Sequence, residues 1–257
     1  MVQALTANKS MLINKLIRYY RKKRLNAFVS KVFKKQNSTV CYGPFKGMKY
    51  IKRSYGSGLI PKLLGTYEQE LHEVIDQIIS TGYQNIVDIG CAEGYYAVGF
   101  AWKCRNKTDF RVYAYDINED ALQSLKTLSA LNSVSDKIIP GACCGHNDFE
   151  RFKDKKTLIF CDIEGDELSL LDPAKAPSLI NYDLLVEIHD SGNEAGIIKT
   201  QLKHRFKQTH LIQLIKYTSR SISDAAAITY TANVRHKQFA VNEGRKKGLE
   251  WMWIKRL

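Results

Sequence analysis

The sequence predicts an α/β protein with a doubly wound, mostly parallel seven-stranded sheet and a basic helical extension at its N-terminus. Three observations carry this. From residue 84 onward, short apolar runs alternate with segments of helical period, the pattern of a parallel sheet covered on both faces. The first apolar run (Ile86, Val87, Ile89) enters a glycine-spaced turn, Gly90-Cys91-Ala92-Glu93-Gly94, and then a helix. Such a turn opens the ligand site of doubly wound folds. The second run ends in an acid, Asp116, 22 residues after Gly94, where a ribose-binding carboxylate belongs.

Taken in order, residues 9–35 read as a basic amphipathic helix. Leu12, Ile13, Leu16, Ile17 and Tyr20 form one stripe, and Leu25, Phe28, Val29, Val32 and Phe33 another. Residues 41–83 are expected as two short extended pieces followed by a helix near 67–80. Strands are expected near 84–89, 110–116, 137–140, 157–163, 182–188, 207–216 and 249–255. Helices are expected at 95–104, 119–131, about 165–172 and 194–204. The last two strands can pair antiparallel around 220–247, a stretch with no clear pattern. The division expected is an extension over 1–40 and one domain over 41–257.

The chain has 257 residues, 44% of them hydrophobic, enough for one large domain with a full core. No apolar run reaches the length of a membrane span, and the N-terminus lacks a signal-peptide pattern. Six cysteines without Cys-x-x-Cys spacing read as reduced thiols, so the expected location is the cytoplasm. The net charge of +13 is concentrated: residues 1–67 hold 15 Lys/Arg and no acid. That asymmetry suggests an acidic partner. A helix like 9–35 fits an anionic membrane surface, placing the protein at its inner face, and fits equally a stripe packed on the domain. Nucleic acid is the less favoured partner, because the aromatics of this region sit at helix-core spacing. Oligomeric state is not legible.

The chemistry gathers at the carboxyl ends of the strands. Asp88 and Glu93 put negative charge where a pyrophosphate would need bare amides. A cofactor with a cationic head, such as S-adenosylmethionine (SAM), suits that turn better. Asp116 can accept from two vicinal hydroxyls, or can serve only as an N-cap for 119–131. The fourth strand runs into Asp162-Ile163-Glu164-Gly165-Asp166-Glu167, and the fifth into Glu187-Ile188-His189-Asp190. Alternation places Asp162 with Glu164, and Glu187 with His189. These acids and the imidazole can hold a divalent cation such as magnesium, with Asp162, Glu187 and Asp190 as candidate ligands. They can instead supply a metal-free general base, His189 first. The plainer alternative has the acids capping the next helix and bonding backbone.

Asp88-Ile-Gly-Cys-Ala-Glu-Gly94 with Asp116 resembles the SAM site of class I methyltransferases, whose sheet is Rossmann-like. Asp162-Ile-Glu-Gly-Asp-Glu167 with Val186-Glu-Ile-His189 resembles the FkbM family, whose members often methylate sugar hydroxyls, and residues 64–71 resemble that family's lead-in. The resemblance covers about residues 60–190. Asp166 departs from it, standing where a small residue is usual. No Asn-Pro-Pro-Tyr-like run follows the fourth strand, which argues against amino-group methylation of adenine or glutamine.

The resemblance implies a SAM-dependent O-methyltransferase acting on a small-molecule or saccharide acceptor, in a glycan, glycolipid or related metabolite. It implies that Asp88 and Gly90 line the methionine moiety, with Gly94 completing the turn and Glu93 or Tyr95 at the polar end. It places Asp116 on the ribose, Ile117 on the adenine face, and Asn118, Ala142 and Cys143 at the adenine border. Tyr67 and Glu68 would close the site. Asp162 and His189 would be catalytic, with Glu164 and Glu187 second. An RNA methyltransferase and a non-enzymatic binding protein of the same fold are the alternatives.

Overall fold

The computed structural model describes residues 20, 23–189, 196–226, 228, 233–244 and 250–257. The seven strands are β1 (Asn85–Ile89), β2 (Arg111–Tyr115), β3 (Ile138–Gly141), β4 (Thr157–Cys161), β5 (Asp183–Ile188), β6 (His210–Lys216) and β7 (Glu250–Arg256). They form one sheet in the order β3-β2-β1-β4-β5-β7-β6. β3, β2, β1, β4 and β5 run parallel, and β7 lies antiparallel between β5 and β6. This is the expected seven-stranded, mostly parallel sheet.

β1, β4 and β5 are buried at every residue, as strands covered on both faces must be. Alternation splits the core in two. Ile86, Val112, Leu158 and Phe160 face one cluster, which α3 (His72–Thr81), α4 (Tyr95–Lys103) and α5 (Glu119–Leu131) complete. Val87, Ile89, Ile159 and Cys161 face the other, with α6 (His146–Phe149), α7 (Glu167–Leu170) and α8 (Ile197–Phe206). The chain winds outward through β1, β2 and β3, then returns to β4. The order therefore reverses between β1 and β4, and ligands bind at the carboxyl ends of strands flanking such a reversal.

Elements beyond the sheet correct several expectations. The predicted helix over 9–35 is described only at Tyr20 and over 23–35 (α1); most of its first stripe lies outside the described residues. In α1, Phe28 and Val32 are buried in the first core cluster, with Val29 and Phe33 packed against it. Phe28 stacks on His236 of α9 (Val234–Val241), with ring centroids 4.5 Å apart. The second stripe is thus taken up by the protein itself, while Lys23, Arg24, Lys31, Lys34 and Lys35 stay exposed. The two expected extended pieces reduce to one isolated bridge, Thr39 to Lys49. An unexpected helix, α2 (Leu59–Leu64), follows, and Gly65 ends it in a left-handed conformation. The helix expected at about 165–172 is the single turn of α7. The six cysteines are free thiols. No described helix is long and apolar enough to cross a membrane.

Candidate active site

The turn after β1 is built on left-handed backbone. Gly90, Ala92 and Gly94 have φ of 83°, 48° and 94°. Gly90 is required, since a Cβ there would lie 1.7 Å from the carbonyl oxygen of Asp162. Gly94 faces α5: its Cβ would meet Leu125 Cδ1 at 2.3 Å. Its absent side chain lets the start of α4 approach α5.

Asp116 stands at the tip of β2. Its Oδ2 accepts from the Ala92 amide at 2.7 Å and its Oδ1 from the Asn118 amide at 2.8 Å. The helix cap is Asn118, whose Oδ1 accepts from the amides of Asp120 and Ala121. Asp116 is therefore not the N-cap of α5, and the Asn118 side chain is engaged at the helix rather than extended toward an adenine. Ile117 projects beside them, 87% exposed. Ala142 and Cys143 are exposed just past β3, next to the end of β2, where Asp116 N donates to Gly141 O.

Asp88 lies beneath the turn, 2% exposed, and its Oδ2 has no hydrogen-bond partner. Burial, then the charges of Asp162 and Asp116, push its carboxyl well above the usual range. Three acids thus crowd one turn, a setting that disfavours phosphates and in which a cation would favour the ionised form of Asp88.

Glu93, Tyr95, Tyr67 and Glu68 are engaged within the protein. Glu93 is fully buried. Its carboxylate accepts from Lys62 Nζ at 2.5 Å, Tyr50 Oη at 2.6 Å, Ser54 Oγ at 3.1 Å and the Tyr55 amide at 2.9 Å. These partners outweigh burial and lower its pKa. Glu93 therefore anchors the lead-in segment instead of meeting a cofactor. Tyr95 and Tyr67 pack edge to face in the same buried group, with the Lys62 ammonium 5.1 Å from the Tyr67 ring. Glu68 is buried, accepts from Tyr96 Oη, and donates its amide to Glu243 Oε1 at 3.2 Å. Sequence reasoning missed Lys62 and Tyr50, because only long-range packing brings them to Glu93.

Behind Glu68, Arg220 pairs with Glu70 and, at 2.8 Å through Nε, with Glu243. Burial, with the charges of Glu68 and Glu70, raises Glu243 from 4.5 to about 8, against the pull of Arg220. The native state then holds a proton that the unfolded chain releases between those values. Stability should fall as pH rises through that window, by up to about 1.4 kcal/mol per pH unit. Urea titrations from pH 5 to 9 should show this slope, and Glu243→Gln should flatten it; an equal slope in the variant would refute the assignment.

The residues expected to be catalytic lie past β4 and β5, where Cys161 pairs with Val186. His189 Nε2 is 3.4 Å from Glu187 Oε2, 3.5 Å from Asp162 Oδ1 and 3.8 Å from Glu164 Oε2. The structure thus brings together all four residues expected to be catalytic. Burial would lower the His189 pKa, but the Glu167 hydrogen bond and the charges of Asp162, Glu167 and Glu164 raise it overall. Glu167 was not among the expected residues. Donor atoms of Asp162, Glu187 and His189 lie within 4.8 Å of one another, close enough to share a cation. Of the expected ligands, Asp190 lies outside the described residues.

No family model and no curated protein matches this chain. Its fold is similar to solved structures at low identity. The O-methyltransferase TomG from Streptomyces achromogenes, in complex with SAM, is 10% identical over 74% of this chain and 80% of its own (TM-score 0.47). An O-methyltransferase from Bacillus cereus is 12% identical over 74% and 81% (TM-score 0.45). A precorrin 8W decarboxylase from Methanobacterium thermoautotrophicum is 14% identical over 72% and 90% (TM-score 0.45). Likeness this distant assigns no activity.

Proposed function

We propose that this protein is a SAM-dependent methyltransferase that methylates a hydroxyl of a small-molecule acceptor, a sugar being the class that the FkbM resemblance suggests. One observation carries the reading. Asp88, Asp116 and Asp162 converge on the left-handed turn at the sheet's reversal, and Asp88 Oδ2 is buried without a partner. That donor set fits a ligand with an ammonium and a sulfonium, and fits a dinucleotide poorly.

In this reading Gly90 and Asp88 would line the cationic methionine end. Asp116, held by two amides, keeps lone pairs for ribose hydroxyls, and Ile117 offers an apolar face for adenine. When bound, SAM supplies a methyl group already activated on sulfur. The chain must then align the acceptor and remove its proton. His189 Nε2 would take the hydroxyl proton as the methyl group leaves sulfur, which keeps the bonding pair, for the oxygen, and would later return the proton to solvent. Asp162, Glu164 and Glu187 stabilise the imidazolium formed.

A second reading rests on the shared spacing of Asp162, Glu187 and His189. With imidazole in the set, manganese or zinc fits better than magnesium. His189 is then a ligand instead of a base.

Calorimetry tests both readings. Wild-type protein should bind SAM, and Asp116→Ala should weaken binding by about 1–3 kcal/mol, since ribose hydroxyls lose their acceptor. Equal affinity in the variant would remove Asp116 from the site. Manganese binding that His189→Ala abolishes would establish the metal reading, and its absence would leave His189 as the base.

A further inference from the structure

We infer that Glu167 is a positioning residue that locks His189 in the tautomer with its proton on Nδ1, so that Nε2 offers its lone pair to the acceptor mouth. The purpose of this lock rests on the functional reading above, but its existence does not.

The geometry starts in the β4–α7 turn. Glu164 and Gly165 have φ of 59° and 126°. Two successive left-handed residues fold the chain back, and the side chain of Glu167, the first residue of α7, is brought under the turn. Glu167 is fully buried. Its Oε1 lies 2.7 Å from His189 Nδ1 and also accepts the Gly165 amide at 3.1 Å. An imidazole is a stronger base than a carboxylate, and the Gly165 amide already donates to Oε1, so the proton between Oε1 and Nδ1 belongs to nitrogen. Nε2 then points the other way, toward Asp162, Glu187 and Glu164.

The cost of this arrangement argues for a purpose. A carboxylate wholly out of water, with an amide and an imidazole as partners, contributes little to stability. An apolar residue would fill the same space at lower cost. What Glu167 does supply is orientation: a histidine that acts through one nitrogen needs the other one held. Without such a partner an imidazole in water favours the Nε2–H form, which has no lone pair facing the mouth. The lock serves His189 as a base and as a ligand alike.

The test reads the tautomer directly and needs neither SAM nor acceptor. Protein labelled with 15N is examined by long-range proton–nitrogen correlation at a pH where His189 is neutral, with His189→Asn assigning its signals. Wild type should show a protonated Nδ1 and a pyridine-type Nε2. Glu167→Ala should move the signals toward the Nε2–H form with the amide spectrum otherwise kept. Glu167→Gln should restore the wild-type pattern, because its carbonyl also accepts from Nδ1. An Nε2–H form in the wild type would overturn the proposal whether or not the variants fold. So would Glu167→Ala with unchanged signals. Absent SAM binding would instead count against the methyltransferase reading and leave this result standing.

Discussion

Lys62→Ala should destabilise the protein by about 3–5 kcal/mol, the usual loss when one partner of a buried ion pair is removed. Lys62 is 3% exposed, and its ammonium lies 2.5 Å from the fully buried Glu93. The alanine variant would leave a carboxylate sealed from water, with Tyr50, Ser54 and the Tyr55 amide as its remaining donors. Those donors belong to the lead-in segment, and Glu93 directly precedes Gly94 and α4. The damage should therefore reach the cofactor turn, with weaker SAM binding alongside the lower urea midpoint. The double variant Lys62→Met with Glu93→Gln should recover most of the loss, since no uncompensated charge remains. A single variant as stable as wild type would show that Glu93 is relieved in some other way.

Gly90→Ala should be comparably damaging, for steric reasons. Its left-handed backbone costs a side-chain-bearing residue roughly 1–3 kcal/mol. Pressing a Cβ toward a backbone oxygen 1.7 Å away adds a repacking cost of about 1–3 kcal/mol. The oxygen belongs to Asp162, and the Asp162 amide bonds to Ile89 O at 2.9 Å. Relief would separate β1 from β4 at the point where both reach the site. SAM binding should be lost even in the fraction that folds. Gly56→Ala is the control: φ there is 69°, but a Cβ would meet nothing within 4 Å. If the two variants lose the same stability by urea denaturation, the close approach to Asp162 contributes nothing.

The strands at the centre of the sheet and the first half of the candidate site were legible because local patterns specify them. The run into Gly90 and Gly94, the acid after β2 and the acids after β4 and β5 each depend on residues a few positions apart. The parallel β1–β4 and β4–β5 pairings then bring those ends together. The segments misjudged are those whose structure depends on distant partners. The stretch over 41–58 has little ladder of its own; Lys49 N and O bond to the side chain of Asn132, 83 positions away. α9 is held by residues distant in the chain, Phe28 of α1 packing on its His236 and Phe239. A stretch of 220–247 without obvious period supplies Arg220 and Glu243, which sit against Glu68 and Glu70.

The sequence by itself determined the fold class, the glycine turn after β1 and the grouping of His189 with Asp162, Glu164 and Glu187. Periodicity, glycine spacing and strand alternation are local, and each is set by backbone geometry. Only the tertiary structure decided what each acid does. Asp116, Glu93, Glu167 and Glu243 are the same chemistry in the sequence. One ends half-buried, accepting two amides at the turn, one sealed against Lys62, one against His189 and one raised to about 8 among other acids. A carboxylate's role follows from its burial and partners, and those come from residues far apart in the chain.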